Sequence, residues 1–161
     1  MQKRFRGLAV LLAISVALLL ALAGCGEKGE VTTRPKATPA EEVSVHVYFM
    51  RGDEAAAVVR KVEKGGAEEA LVALLKGPTE KEKQGGLFSP IPGGTSLNGY
   101  SVEGDTARVD FSGELLKFGG GSAAVYGITT EINKTVLANE PGVGTVEITV
   151  EGRPAEEVLQ P

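Results

Sequence analysis

"VSVHVYFM", Val43 to Met50, decides how the rest of the chain is read. Val43, Val45, Val47 and Phe49 alternate with Ser44, His46, Tyr48 and Met50, the period of two that marks a half-buried strand. Beyond it, Arg51-Gly52-Asp53 supplies a turn, and "AAAVVRKVEK" is expected to return as an antiparallel partner. The period then changes. In "AEEALVALLKGP", Ala70, Leu71, Leu74 and Leu75 fall on one helical stripe, and Glu68 and Glu69 occupy the first turn, where the helix dipole favours acids. Gly77 and Pro78 end that helix.

"TEKEKQGGLFSPIPGG" is expected to be a long loop, in which Glu80, Lys81, Glu82 and Lys83 form a solvated charge run. "TSLNGYSVEG" and "DTARVDFS" follow as a hairpin turning at Gly104-Asp105, with Ala107, Val109 and Phe111 on one face. A second helix is predicted through "GGGSAAVYGITTEINKTVLANEPG", where Val125, Ile128, Ile132 and Val136 recur on one side and Ser122 is the candidate N-cap. Gly127 and Thr129-Thr130 are poor choices for a helix interior, so this helix depends on what it packs against. "GTVEITV" alternates as a last strand, and "EGRP" turns into a short tail. The order ββαββαβ predicts an α+β domain, a single mixed or antiparallel sheet with two amphipathic helices packed on it. Val43 to Leu159 is long enough for one such domain, and nothing in the sequence suggests a second.

Upstream of Val43 the chain has a different character. Lys3, Arg4 and Arg6 precede an apolar run from Leu8 to Leu22, which is short of the roughly 20 residues a spanning helix needs. A basic start, a short apolar stretch and small residues before a cleavage point make a secretory leader, Met1 to Gly24. Leu22-Ala23-Gly24-Cys25 resembles the lipobox of bacterial lipoproteins, which implies cleavage before Cys25 and a diacylglycerol on its thiol. Two acyl chains hold a protein stably on a bilayer where one holds it only marginally. Residues 25–42, rich in Gly, Thr, Pro, Lys and Glu, read as a flexible tether spanning on the order of 23 Å. The domain proper is then 43–161, held on the extracytoplasmic side of the membrane.

Charge and composition narrow the function. The chain has 17 Lys and Arg against 21 Asp and Glu; the leader carries three of the basic residues and no acidic one, so its removal takes the balance from −4 to −7. Nucleic acid is thereby excluded as an expected partner, because binding it draws on clustered cations. The lone cysteine forms no intramolecular disulfide, so stability rests on packing.

Residue chemistry argues against catalysis. A Ser-His-Asp arrangement would need His46, the only histidine, to meet a serine such as Ser89 and an acid such as Asp110, and no Gly-x-Ser-x-Gly elbow occurs. His46 also has no Cys or second His at zinc-ligand spacing. Gly119-Gly120-Gly121-Ser122 opens a helix, yet lacks the Lys-Ser or Lys-Thr of a nucleotide loop. No metal, cofactor or catalytic residue is expected.

At this point the residues resemble a family. Gly77-Pro78-Thr79, Ile91-Pro92 with Gly94-Thr95, Val109-Asp110-Phe111-Ser112, and Gly120 with Ser122 are similar to the GerMN domain of sporulation and spore germination proteins. The resemblance implies a fold like the ring-building motifs of secretion complexes, and a non-catalytic role in assembling the bacterial cell envelope. Partners expected on that basis are the membrane through Cys25 and an envelope protein or a second copy. Candidate contact residues are Leu87, Phe88 and Ile91, apolar side chains in a loop, with Asp110 and Ser112 placed to hydrogen-bond that loop and Ser122 at the entry to the second helix. The alternative is a sensor-accessory domain taking a small ligand, such as a wall fragment, in a cleft near Gly119 to Ser122.

Overall fold

A computed structural model describes residues 42–160; the leader, Cys25 and the tether up to residue 41 lie outside them. Strand β1, Val43–Arg51, turns through Gly52 and Asp53 into β2, Glu54–Val62, and the two pair antiparallel from Val43↔Val62 to Arg51↔Glu54. Helix α1, Ala67–Leu75, follows, then a short helix α2, Glu80–Gln84. Strands β3, Leu97–Glu103, and β4, Thr106–Phe111, form the expected hairpin. After a 3-10 turn at Gly113–Lys117, helix α3, Gly121–Asn139, crosses over to β5, Thr145–Val150, which lies parallel to β4. A parallel neighbour requires such a crossover, and α3 supplies it. The chain closes with a two-residue strand β6, Arg153–Pro154, and a helical turn α4, Ala155–Val158.

The α+β class and the order of the long elements are as expected, but the strands divide between two hydrogen-bonded sheets rather than one: β1-β2, and β3-β4-β5-β6. The reason lies at the outer edge of β1, which is occupied by side chains of α3. The His46 amide donates to Asn139 Oδ1 (2.9 Å) and the His46 carbonyl accepts from Asn139 Nδ2 (2.6 Å). The Tyr48 amide donates to Thr135 Oγ1 (3.1 Å), and the Met50 amide to Glu131 Oε1 (3.0 Å). Four helical residues rise about 6 Å and two strand residues about 6.7 Å, so Glu131, Thr135 and Asn139 meet every second amide of β1. A helix thus stands where a strand would otherwise pair.

Both sheets close on one core. Val45, Val47 and Phe49 of β1, Leu71 and Leu74 of α1, Val109 and Phe111 of β4, Leu115, and Ile128, Ile132 and Val136 of α3 are all buried in it. Burying side chains of this size contributes roughly 1.5–3 kcal/mol each before the cost of ordering them.

Three details depart from the sequence reading. The stretch expected as loop contains α2, because Thr79 and Glu82 make a capping box: Glu82 Oε2 accepts from the Thr79 amide (2.7 Å) and Thr79 Oγ1 from the Glu82 amide (3.4 Å). Ser122 is no N-cap; Gly120, at a φ of 106° open to glycine, holds that place, and Ser122 sits exposed in the first turn. The C-terminal tail is structured, with β6 paired to β5. Among the described residues no helix is long and apolar enough to cross a membrane.

Candidate functional site

Where the β1–β2 turn, the segment after α2 and the start of α3 converge, they enclose a cavity of about 360 Å³. Met50, Gly52, Phe88, Pro90, Gly120 and Tyr126 are among its lining residues, and the surface is mostly apolar. Phe88 is 47% exposed and Tyr126 57% exposed, so two aromatic rings remain uncovered there.

The segment carrying Phe88 is fixed from below. Phe88 pairs with Met50 through both backbone bonds, Met50 N to Phe88 O at 3.0 Å and Phe88 N to Met50 O at 2.9 Å. Pro90 lies so close to α3 that a Cβ at Gly127 would fall 2.8 Å from its Cγ. The glycine that weakens the helix is what permits this approach.

Directly beneath is Glu131, which is 0% exposed. Its Oε1 accepts from the Met50 amide, and its Oε2 from the Ser89 hydroxyl at 2.6 Å; Ser89 Oγ in turn accepts from the Ile91 amide at 3.2 Å. Burial pushes the carboxyl up to about 7, and the Ser89 and Met50 bonds pull against that only in part.

Of the candidate contact residues the cavity takes Phe88 alone, and Gly119 and Gly120 of the expected ligand cleft line it too. Leu87, expected as an exposed contact, is 5% exposed and belongs to the core, because its neighbour Phe88 is turned outward by pairing with Met50. Ile91 is partly buried against the same core. Ser122 is exposed on α3 but is not among the lining residues, whereas Gly119 and Gly120 are. Asp110 and Ser112 serve the second sheet. Asp110 Oδ1 accepts from Thr149 Oγ1 (2.6 Å) and the Gly152 amide (2.8 Å), and Oδ2 from Asn98 Nδ2 (3.1 Å). Burial raises that carboxyl, but the three donors outweigh it and leave it below its ordinary value. Ser112 Oγ accepts from the Ser96 amide at 3.0 Å, holding the loop before β3.

The Ser-His-Asp arrangement does not form: the Ser89 hydroxyl donates its hydrogen bond to Glu131 and Asp110 accepts from Thr149. Glu82, read as part of a solvated run, is instead clamped by Arg60 through two 2.7 Å bonds and held at about 2, chiefly by that guanidinium. Arg60 also lies over the Phe49 ring, 5.5 Å from its centre. Among the described residues no three His, Cys, Asp or Glu side chains gather as a metal site would need.

Glu131 was not found by sequence reasoning, although a signal existed. Glu131, Thr135 and Asn139 each follow an apolar stripe residue, Ile128, Ile132 and Val136, by three positions, which places a polar row beside the buried face.

A family model described as sporulation and spore germination, Germane, matches residues 46–156. The chain belongs to the Germane family. Among solved structures, it is similar to the first GerMN domain of the sporulation protein GerM from Bacillus subtilis, at 20% identity and a TM-score of 0.54, covering 72% of this chain and 88% of that one. It is also similar to the tandem GerMN domains of the same protein, at 18% identity and a TM-score of 0.51; 70% of this chain is covered, and it spans only 40% of the tandem chain. No curated protein matches it. Likeness at these identities establishes the fold alone.

Proposed function

We propose that this Germane domain is a non-catalytic interaction or assembly module of the bacterial cell envelope, anchored by a lipid on Cys25 and facing the extracytoplasmic side. The observation that carries the reading is the apolar cavity with Phe88 and Tyr126 uncovered at it. Uncovered aromatics around a concave apolar surface are what a partner's side chain would bury. A non-catalytic reading draws support from Glu131: among the described residues the one carboxyl raised toward neutrality is sealed from solvent, with both oxygens already engaged by the chain itself. The lipobox and the acidic mature chain support a lipid anchor in place of a polybasic membrane contact. A role in sporulation or germination rests on the family alone.

Intact mass of the protein from its native membrane, followed by crosslinking of the same sample, tests this. A chain beginning at lipidated Cys25 and crosslinked to itself or to one envelope protein is expected, with the adduct at least tenfold weaker in Phe88→Asp and Tyr126→Asp. Unmodified Cys25 would remove the anchor, and crosslinking indifferent to both substitutions would remove the cavity as the contact. A second reading, a small-ligand site, draws on the volume, which falls in the range of about 300–1,000 Å³ usual for ligands. Line broadening of wall fragments by the wild type but not by Tyr126→Asp would favour it.

A further inference from the structure

One wall of the cavity is held by a buried group that can take up or lose a proton. Residues 88–91 reach the domain through four kinds of contact: the backbone pair Met50–Phe88, the Ser89 hydroxyl on Glu131, Pro90 on Gly127, and Ile91 against the core. Phe88 and Pro90 line the cavity, and Ser89 between them turns inward to the carboxyl.

The surroundings of that carboxyl are unusual for what they lack. From β1 it meets the Met50 amide, and from the 88–91 segment the Ser89 hydroxyl. Helix α1 buries Ala70, Leu71, Ala73 and Leu74, and its acids Glu68 and Glu69 do not bear on Glu131. The nearby cations are committed elsewhere or exposed: Arg60 of β2 to Glu82, Lys134 of α3 over the Tyr48 ring, His46 and Arg51 of β1 outward. Among the described residues no positive side chain offsets a charge on Glu131. An ionised carboxylate buried without a cation is costly, and water is the remaining means of relieving it.

We propose that Glu131 and Ser89 form a proton-operated latch: the 88–91 segment is shut over the protonated carboxyl and is released when the carboxyl ionises, so that the Phe88–Pro90 wall of the cavity moves with pH. Protonated, the carboxyl is neutral and stays buried between Met50 and Ser89. Its own O–H then takes the Ser89 oxygen as acceptor. Ionised, the carboxylate accepts from both the Met50 amide and the Ser89 hydroxyl, but these two bonds do not offset burial of the charge. Lifting the segment lets water reach it, and the open form binds the proton less tightly than the closed one. By linkage the closed form is favoured on the acidic side and the open form on the alkaline side. The raised proton affinity of the buried group puts the midpoint near neutrality. Only the consequence for docking rests on the interaction reading above; the latch is tested with no partner present.

The test is amide hydrogen exchange by NMR on the full chain in detergent, corrected for intrinsic rates, between pH 6 and 8.5. The Phe88 and Met50 amides are expected to be less protected than Val47 on the same strand, and to lose about tenfold or more of their protection across this range. In Glu131→Gln, which keeps the shape without the charge, their protection should stay level. An equal pH profile in wild type and Glu131→Gln overturns the latch. So does protection of Phe88 and Met50 equal to that of Val47 at every pH, because no local opening would then precede unfolding of the whole domain. Should the variant not fold, titration of the Glu131 carboxyl carbon read beside the exchange decides: a midpoint that coincides with the loss of Phe88 and Met50 protection supports the latch, and a midpoint apart from it, or an ordinary one near 4.5, overturns it.

Discussion

Glu131 and Asp110 are carboxyls with similar company and opposite behaviour. Each accepts from a backbone amide and a hydroxyl, Glu131 from Met50 and Ser89, Asp110 from Gly152 and Thr149. Burial raises both, yet the net shift is upward for Glu131 and downward for Asp110. Asp110 stands on the outer face of the four-stranded sheet, half open to water, and has Asn98 as a third donor. Its neighbours are polar and paired, as where Arg108 bridges Glu103 and Glu147. Glu131 lies under an apolar cavity with no water-facing side. Two hydrogen bonds are thus worth different amounts in the two places, and access to solvent decides which form of the acid the fold prefers.

The largest expected effect comes from titrating the buried member. Folded, Glu131 holds its proton to about pH 7, whereas an unfolded carboxyl releases it near 4.5. The folded state therefore binds more protons between these values, and the associated stability is full below 4.5 and lost as pH rises through 7. Urea unfolding of the wild type should show a decline on the order of 3 kcal/mol from pH 5 to 8.5 that is absent in Glu131→Gln. Parallel curves for the two proteins would break the comparison.

Next is Gly127→Val, which places a side chain where Pro90 already lies. About 2 kcal/mol of stability should be lost, and the carboxyl of Glu131 should titrate closer to its ordinary value as the displaced segment admits water. A stable variant with an unchanged Glu131 titration would show that Pro90 does not keep the site dry. The smallest effect belongs to the open member. Asp110→Asn should cost about 1 kcal/mol at pH 7, since a charge-assisted acceptor is replaced by a neutral one. Because the Asp110 value is depressed, its contribution is present above 3.8 and fades as pH falls through the folded value, so wild type and variant should converge in acid. A gain in stability on Asp110→Asn at pH 7 would place it with Glu131 and erase the contrast.

The long elements were legible because each carried a clean period: Val45, Val47 and Phe49 at every second position, Ile128, Ile132 and Val136 at helical spacing. The division into two sheets was not, because it depends on the match between a helical rise and a strand repeat, which neither segment displays alone. The capping box of α2 was readable from Thr79 and Glu82 and was obscured by the charge run around it. At the cavity, Phe88 could be picked out by its apolar character in a loop, while its inward neighbour Leu87 could not be separated from it without knowing that Phe88 pairs with Met50. Glu131 was harder to place: hydropathy puts a glutamate outside, its position in the polar row beside the α3 stripe shows only the face it shares, and the meeting of Met50, Ser89 and α3 puts it within.

The row of α3 side chains along β1 also governs how the hairpin can grow. An open strand edge is a template on which a further chain can add by backbone pairing. At β1 the amides of His46 and Tyr48 are already taken by Asn139 and Thr135, and that of Met50 is shared between Glu131 and the Phe88 carbonyl, whereas β2 has no strand beyond it among the described residues. Strand addition can therefore begin at β2 and has no second edge of this hairpin from which to continue. The helix acts as a chain terminator, which protects the protein from fibrous polymerisation through this sheet.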